Sequence, residues 1–261
     1  MTSRVITAVC LSAVAAWHSA NAQDTVFFPA TDRIAIRYLP SIPSIELVPG
    51  IRVHTVVGAT GSVSFGEFDS AGVAPLHHHT REQADVGLSG RSDMTIGTHV
   101  EFLEPGSGVI VPANVRHSIA NLGGGVRTVL EFHTVRRPDL VPPRPVLTFP
   151  MAAEPVPVPA DRRLVRPIDA GDGSTLTGET CTMRWRRVAE SVDVHPAPTA
   201  TELFIYVARG TVRLAAPRLS STLGTGMLII VPATSGSVKL STAGAEPASV
   251  VEFSVRAPDA R

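Results

Sequence analysis

The run His77-His78-His79-Thr80-Arg81-Glu82-Gln83 is followed, 34 residues after Gln83, by His117. In an extended strand, alternate side chains share a face, so His77 and His79 point one way and His78 the other. Gln83 is an even number of residues beyond His79, and a continuing hairpin edge returns it to the same face. His117 then arrives from a separate strand. Three neutral imidazoles suit zinc, iron, copper or nickel, and the amide oxygen of Gln83 adds a harder ligand. Such a set describes an open, substrate-accessible metal site rather than a closed structural one.

On either side of this run, short β-rich stretches alternate with glycine. Candidate strands are Ile34–Tyr38, Ile51–Val57, Ser62–Phe68, Ala84–Leu88, Ser92–Ile96, Gly108–Val111, His117–Ala120 and Val126–His133. Gly58, Gly61, Gly72, Gly90, Gly97 and Gly123-Gly124-Gly125 mark the turns between them. No stretch carries a long helical period, so the expected architecture is an all-β barrel or sandwich of the jelly-roll kind.

Composition sets the outer bounds. The chain has 261 residues, 23 basic and 23 acidic, so its formal net charge gives no electrostatic case for nucleic acid or an anionic membrane. Arg4, the apolar stretch Val5 to Trp17 and Ala20-Asn21-Ala22 form a secretory signal, 1–22, with Gln23 as the expected mature terminus. The expected location is the periplasm or the medium. After cleavage Cys181 is the one remaining cysteine, so no intramolecular disulfide can form. Residues 23–50 read as a lead-in and 51–137 as the metal-binding barrel. Segment 138–167 holds nine of the 22 prolines and reads as an extended surface linker; a second barrel occupies 168–261.

The two barrels are internally related. Glu82, Gly90, Gly106, Val111 and Pro112 reappear 120 residues later as Glu202, Gly210, Gly226, Val231 and Pro232, and Glu131-Phe132 returns as Glu252-Phe253. Two copies of one domain follow. The ligand positions His77, His79, Gln83 and His117 become Ala197, Thr199, Leu203 and Ser237. The first copy therefore carries the site and the second has lost it.

These residues resemble the cupin family. His77, His79, Gln83 and Gly90 match its first motif, H-x-H followed by Glu or Gln and then Gly. Gly106, Pro112, His117 and Asn121 match its second, G-x5-P-x-G-x2-H-x3-N. Two positions depart: the opening glycine is Gly72, one residue closer than usual, and Asn114 stands where the motif has a turn glycine. The resemblance implies two double-stranded β-helix barrels, a bicupin, with His77, His79, Gln83 and His117 around one divalent metal (Mn, Fe, Zn, Ni or Cu). The first barrel is similar to small pectin-degradation cupins, which use this ligand set to open unsaturated uronate rings.

That resemblance implies Glu131, His133 and Arg137 as the catalytic group: the first two move a proton and Arg137 holds a substrate carboxylate. A neutral Gln ligand leaves the metal's charge uncompensated, which favours Lewis-acid work. The expected activity is a non-redox isomerase, cyclase or lyase acting on a small oxygenated, carboxylated sugar. An iron or copper dioxygenase and a non-catalytic sugar-binding module are the alternatives, and a second copy of the chain is a candidate partner. His78 is expected to face outward in a solvated or supporting role. Glu82, repeated as Glu202 in the half without ligands, is expected to be structural.

Overall fold

In the computed structural model, residues 26–27, 33–121, 123–134, 165–169, 174–198 and 200–256 are described. The expected signal peptide, Arg137 and most of the 138–167 linker lie outside them. Each half is a sandwich of a larger and a smaller sheet. In the first half, the larger sheet runs Ile51–Val57, Gly61–Phe68, Arg127–Thr134, Gln83–Ser89, Ser107–Val111 in order of pairing. The smaller one runs Val73–His77, His117–Ala120, Ser92–Ile96, His99–Leu103. The second half repeats this with Thr175–Thr177, Cys181–Val188, Ala248–Val255, Glu202–Arg209, Met227–Pro232 opposed by Ser191–Val194, Val238–Thr242, Thr211–Ala216, Leu219–Gly224. These pairings are antiparallel.

The register bears out the internal repeat. Phe132 pairs with Ala84 and Phe253 with Phe204; both strand pairs shift register at the same place, between Thr128 and Val129 and between Val207 and Arg209. Gly90, Gly106, Gly210 and Gly226 all adopt positive φ, the conformation glycine reaches without a Cβ penalty. Most expected strands appear within a residue of their bounds. Val73–His77 has no period to reveal it, because Pro75 sits within it; proline is tolerated there because this strand is the edge of its sheet.

Strand alternation splits the core into three parts. On Arg127–Thr134, Val129 enters the interior cluster of the first half, with Ile51, Val53, Phe68, Met94 and Ile119. Leu130 and Phe132 point the other way, into a cluster shared by both halves with Phe65, Val86, Trp185, Phe204, Tyr206 and Phe253. The two larger sheets therefore lie back to back. The equivalent rings of Phe132 and Phe253 stack at 4.5 Å between centroids. The interior of the second half is aliphatic, built on Leu203, Ile205, Val207, Val212, Leu240 and Val250.

The segments expected to be a lead-in and a linker take part in this core. Ala35–Tyr38 pairs with Met227–Ile230, joining the second half's sheet, and Leu39 and Ile42 are buried in the shared cluster. Arg166–Pro167 pairs with Ser107–Gly108, so the end of the expected surface linker is instead an edge strand of the first half, flanked by buried Val165 and Ile168. Edge pairing needs no donor from Pro167, which is how a proline enters the sheet.

A reciprocal pair of carboxylates ties the halves together. Glu82 accepts hydrogen bonds from the amides of Glu179 and Thr180 at 2.7 Å and from the Thr180 hydroxyl at 2.8 Å. Glu202 accepts from the amides of Ala59 and Thr60 and from the Thr60 hydroxyl at 3.0, 2.7 and 2.9 Å. Thr60 and Thr180 are themselves repeat-equivalent, so each half caps a hairpin of the other. Gly58 and Gly178 make the approach feasible, since a Cβ on either would lie within 2.6 Å of a carboxylate oxygen. The structural role expected for Glu82 is this clamp.

Candidate metal centre

His77 ends its strand and His117 begins the neighbouring one; the two pair in register, with ring centroids 4.4 Å apart. His79 lies beyond the strand end, where its carbonyl accepts the Asn114 amide at 2.6 Å. Asn114 has φ 64°, the conformation expected when it stands in a turn-glycine position. This turn brings the His79 ring 5.1 Å from His117 and 4.8 Å from His77. The ligand nitrogens of the three histidines lie within 4.8 Å of one another. Because the strand stops at His77, alternation no longer governs His78: it is buried rather than outward-facing.

Gln83 completes the cluster from the larger sheet. Its Oε1 lies 3.3 Å from His117 Nε2, and its Nε2 donates to both carboxyl oxygens of Asp85 at 3.0 Å. Asp85 is fully buried, and burial followed by the neighbouring Glu131 charge pushes its carboxyl well above the usual range. The amide is thereby oriented with its oxygen toward the histidines. Asp85 belongs to the site although the ligand pattern does not include it. The one trace of it in sequence is an acid two residues after Gln83, on the same face of an otherwise apolar strand.

The donor set fits a cation. Burial pushes His117 down to about 3 and depresses His77 and His79 as well, so all three rings are neutral at pH 7. His117 donates from Nδ1 to the Val115 carbonyl at 2.9 Å, and His77 from Nδ1 to the Pro75 carbonyl at 2.6 Å. Each Nε2 therefore carries the lone pair. At His117 that lone pair faces the Gln83 amide oxygen, an acceptor against an acceptor, and a divalent ion between them satisfies both.

Glu131 and His133 share the interior face of their strand with Val129. His133 is buried, its ring is 5.3 Å from that of His79, and its Nε2 is 3.9 Å from Glu131 Oε2. Burial holds its imidazole below the ordinary range, hence neutral. The repeat shows what distinguishes Glu131. Its counterpart Glu252 is held by Arg186, which donates from Nε to Oε1 and from Nη2 to Oε2. The position equivalent to Arg186 is Gly66, so Glu131 lacks that partner. Arg127, also buried on this face, lies over the Phe68 ring at 4.1 Å; no sequence motif singles it out. Of the expected catalytic group, the structure brings Glu131 and His133 to the histidines.

Residues 65–132 match a family described as Cupin domain. The chain carries a cupin domain. No curated protein sequence matches the chain significantly. Among solved structures, AerE from Microcystis aeruginosa is similar at a TM-score of 0.62 and 12% identity, covering 82% of this chain and 97% of its own. Protein Ylba from E. coli gives 0.64 and 10%, covering 86% and 91%. An oxalate decarboxylase variant from Bacillus subtilis gives 0.58 and 14%, covering 84% and 76%. At these identities the likeness is one of fold, and it extends over both halves.

Within the cupin domain, the motif's closing residue is a loop organiser. Asn121 donates to the carbonyls of Phe68, Asp69 and Gly125 and accepts the Gly123 amide at 3.0 Å. The second half departs from the cupin domain in kind. Leu203 and Ile205, at the places of Gln83 and Asp85, are buried in its aliphatic cluster. Removing the amide and its carboxylate together avoids the cost of an unpaired buried polar group.

Proposed function

We propose that the chain is an exported bicupin whose first barrel is a mononuclear metal enzyme of the non-redox kind, acting on a small oxygenated acid of the sugar-acid type. The observation that carries this reading is the Gln83–Asp85 pair, which turns a neutral oxygen donor toward three neutral imidazoles. His77, His79, His117 and Gln83 would hold a divalent ion, whose chemistry is the electrophilic polarisation of a substrate oxygen. Glu131, without the arginine that occupies Glu252, removes a proton from the carbon adjacent to the carbonyl whose oxygen is polarised. His133, neutral and 3.9 Å from Glu131, accepts and returns it. Arg137 is proposed to take the substrate carboxylate.

The test supplies metal-loaded mature protein with a panel of small uronates and hydroxy acids in deuterated water. Oxygen is followed by electrode and products by NMR. The reading expects product or deuterium at the carbon beside the carbonyl without oxygen uptake, and at least a hundredfold slower exchange in Glu131→Gln. Oxygen consumed in proportion to product would replace it with a dioxygenase. Tight binding of a ligand recovered unchanged, without deuterium, would replace it with a binding module.

A further inference from the structure

Three interior positions differ between the halves as a set. Gly66, Phe68 and Arg127 stand where the second half has Arg186, Val188 and Ala248. The register secures each equivalence: Gly66 pairs with Val129 and Arg186 with Val250, while Arg127 pairs with Phe68 and Ala248 with Val188. Both sets place one arginine on the face that carries the repeated glutamate, but from different strands. In the second half, Arg186 projects from the strand beside Glu252 and donates to both of its oxygens. In the first, Gly66 leaves that place to the Phe68 ring: a Cβ on Gly66 would lie 3.1 Å from Phe68 Cε2. The Arg127 guanidinium lies over this ring, 4.1 Å from its centroid.

The exchange changes what the arginine does. Arg186 occupies the oxygens of Glu252, and a carboxylate so engaged is a poor base. Arg127 is 1% exposed, and its Nε and Nη2 are buried with no hydrogen-bond partner. Among the described residues, no carboxylate comes within ion-pair distance of it. A guanidinium kept in that state is costly, and an aromatic face offsets only part of the cost. What it does meet is charge. Burial lowers Arg127 to about 10, Glu131 and then Asp85 oppose that fall, and it stays a cation. The Glu131 side chain is itself only 14% exposed. Facing it are Asp85 from the adjoining strand, His133 on its own strand and His77 from the smaller sheet; Arg81, on the turn before Gln83, acts on His133.

We infer that Arg127 is a positioning residue for the proposed base: held on Phe68, it supplies the counter-charge of Glu131 without taking the carboxylate oxygens, which stay open to a substrate proton. The inference rests on the reading of Glu131 as that base. The second half shows the inert alternative, in which the same counter-charge arrives as a clamp.

The experiment compares metal-loaded full chain as wild type, Arg127→Met, Arg127→Lys and the triple variant Gly66→Arg/Phe68→Val/Arg127→Ala, which copies the second half. Protonation of Glu131 is titrated in the infrared carboxyl band, isolated by difference from the same chain carrying Glu131→Gln. This readout needs no turnover, so it still decides the inference where deuterium exchange, and the proposed function with it, fails. The expected result is a midpoint about one pH unit higher in Arg127→Met than in wild type, restored to within about half a unit in Arg127→Lys. The acid limb of deuterium exchange should move upward with the midpoint in Arg127→Met. The triple variant should keep Glu131 ionised at or below the wild-type midpoint, yet exchange at least about tenfold more slowly, because its oxygens are clamped. A midpoint unmoved in Arg127→Met, an equal shift in Arg127→Lys, or a triple variant with a raised midpoint or wild-type exchange would overturn the inference. Arg127→Lys and the triple variant keep it refutable if Arg127→Met does not fold.

Discussion

Asp85→Asn isolates what orients the metal's oxygen ligand. Asparagine has nearly the same volume as aspartate, so the fully buried position should stay packed. With Asp85 ionised, both carboxyl oxygens accept from Gln83 Nε2 at 3.0 Å, and turning the amide over would set oxygen against oxygen. The substituted side chain offers an N–H as well as an oxygen, so it can stabilise the turned-over Gln83 amide, which points its NH2 group at the histidines. The lost orientation bias is that of a buried hydrogen bond to a carboxyl group, about 1.5–3 kcal/mol, or roughly ten- to a hundredfold in affinity. Supporting residues around metal ligands have effects of about that size. The assay is competition for zinc against a chromophoric chelator, with thermal unfolding of the metal-free chain as a control for folding. A variant of unchanged unfolding temperature that binds zinc within threefold of wild type would refute the claim that Asp85 orients Gln83.

Mature protein should bind one divalent ion per chain by elemental analysis, and His77→Ala or His117→Ala should nearly abolish binding; two tight equivalents would contradict a single-site chain. Glu82→Ala and Glu202→Ala each strand two backbone amides of the opposite half, so each should lower stability by about 2–4 kcal/mol in urea unfolding, and by similar amounts. A large effect from one and none from the other would dissolve the clamp. The metal-free chain should lose stability in mild acid. His117 titrates near 3 when folded and near 6.5 when unfolded, so between those values the unfolded chain binds the extra proton. The slope for this residue approaches about 1.4 kcal/mol per pH unit, or roughly 2 kcal/mol between pH 6.5 and 5. Unfolding midpoints that do not fall over that interval would show that His117 is not held neutral. Native protein should begin at Gln23 on N-terminal sequencing, and an intact Met1 would remove the case for export.

Much of the first half is readable because its signals are local. A turn glycine at positive φ, alternation within a strand and an H-x-H motif each involve a few adjacent residues, and Ile51–Val57, Ser92–Ile96 and His117–Ala120 follow with their bounds intact. The ligand set is legible for the same reason, together with its absence from the repeat. What stays hidden is long-range. Nothing near Ala35–Tyr38 indicates that it pairs almost two hundred residues away with Met227–Ile230. Asp85 reads as one acid in a strand until register places it beside Glu131 and under Gln83. His78 departs from its expected outward face because strand alternation stops one residue before it, at His77.

The duplicated fold also separates two demands that conflict within one barrel. A metal centre needs Gln83, Asp85, Glu131 and His133 on interior faces, where each must be desolvated. The second half fills two of those places with Leu203 and Ile205, which join its aliphatic cluster, and neutralises a third, Glu252, with Arg186. Because the larger sheets share one cluster through Phe132 and Phe253, and because Glu82 and Glu202 bind across the boundary, that packing is transmitted to the half that lacks it. Loss of the ligands from the second half is then more than decay of an unused copy. It lets one half keep a polar, neutral-ligand interior that would be costly in a barrel standing alone, while the other supplies the packing against which Gln83 and its partners are held in place.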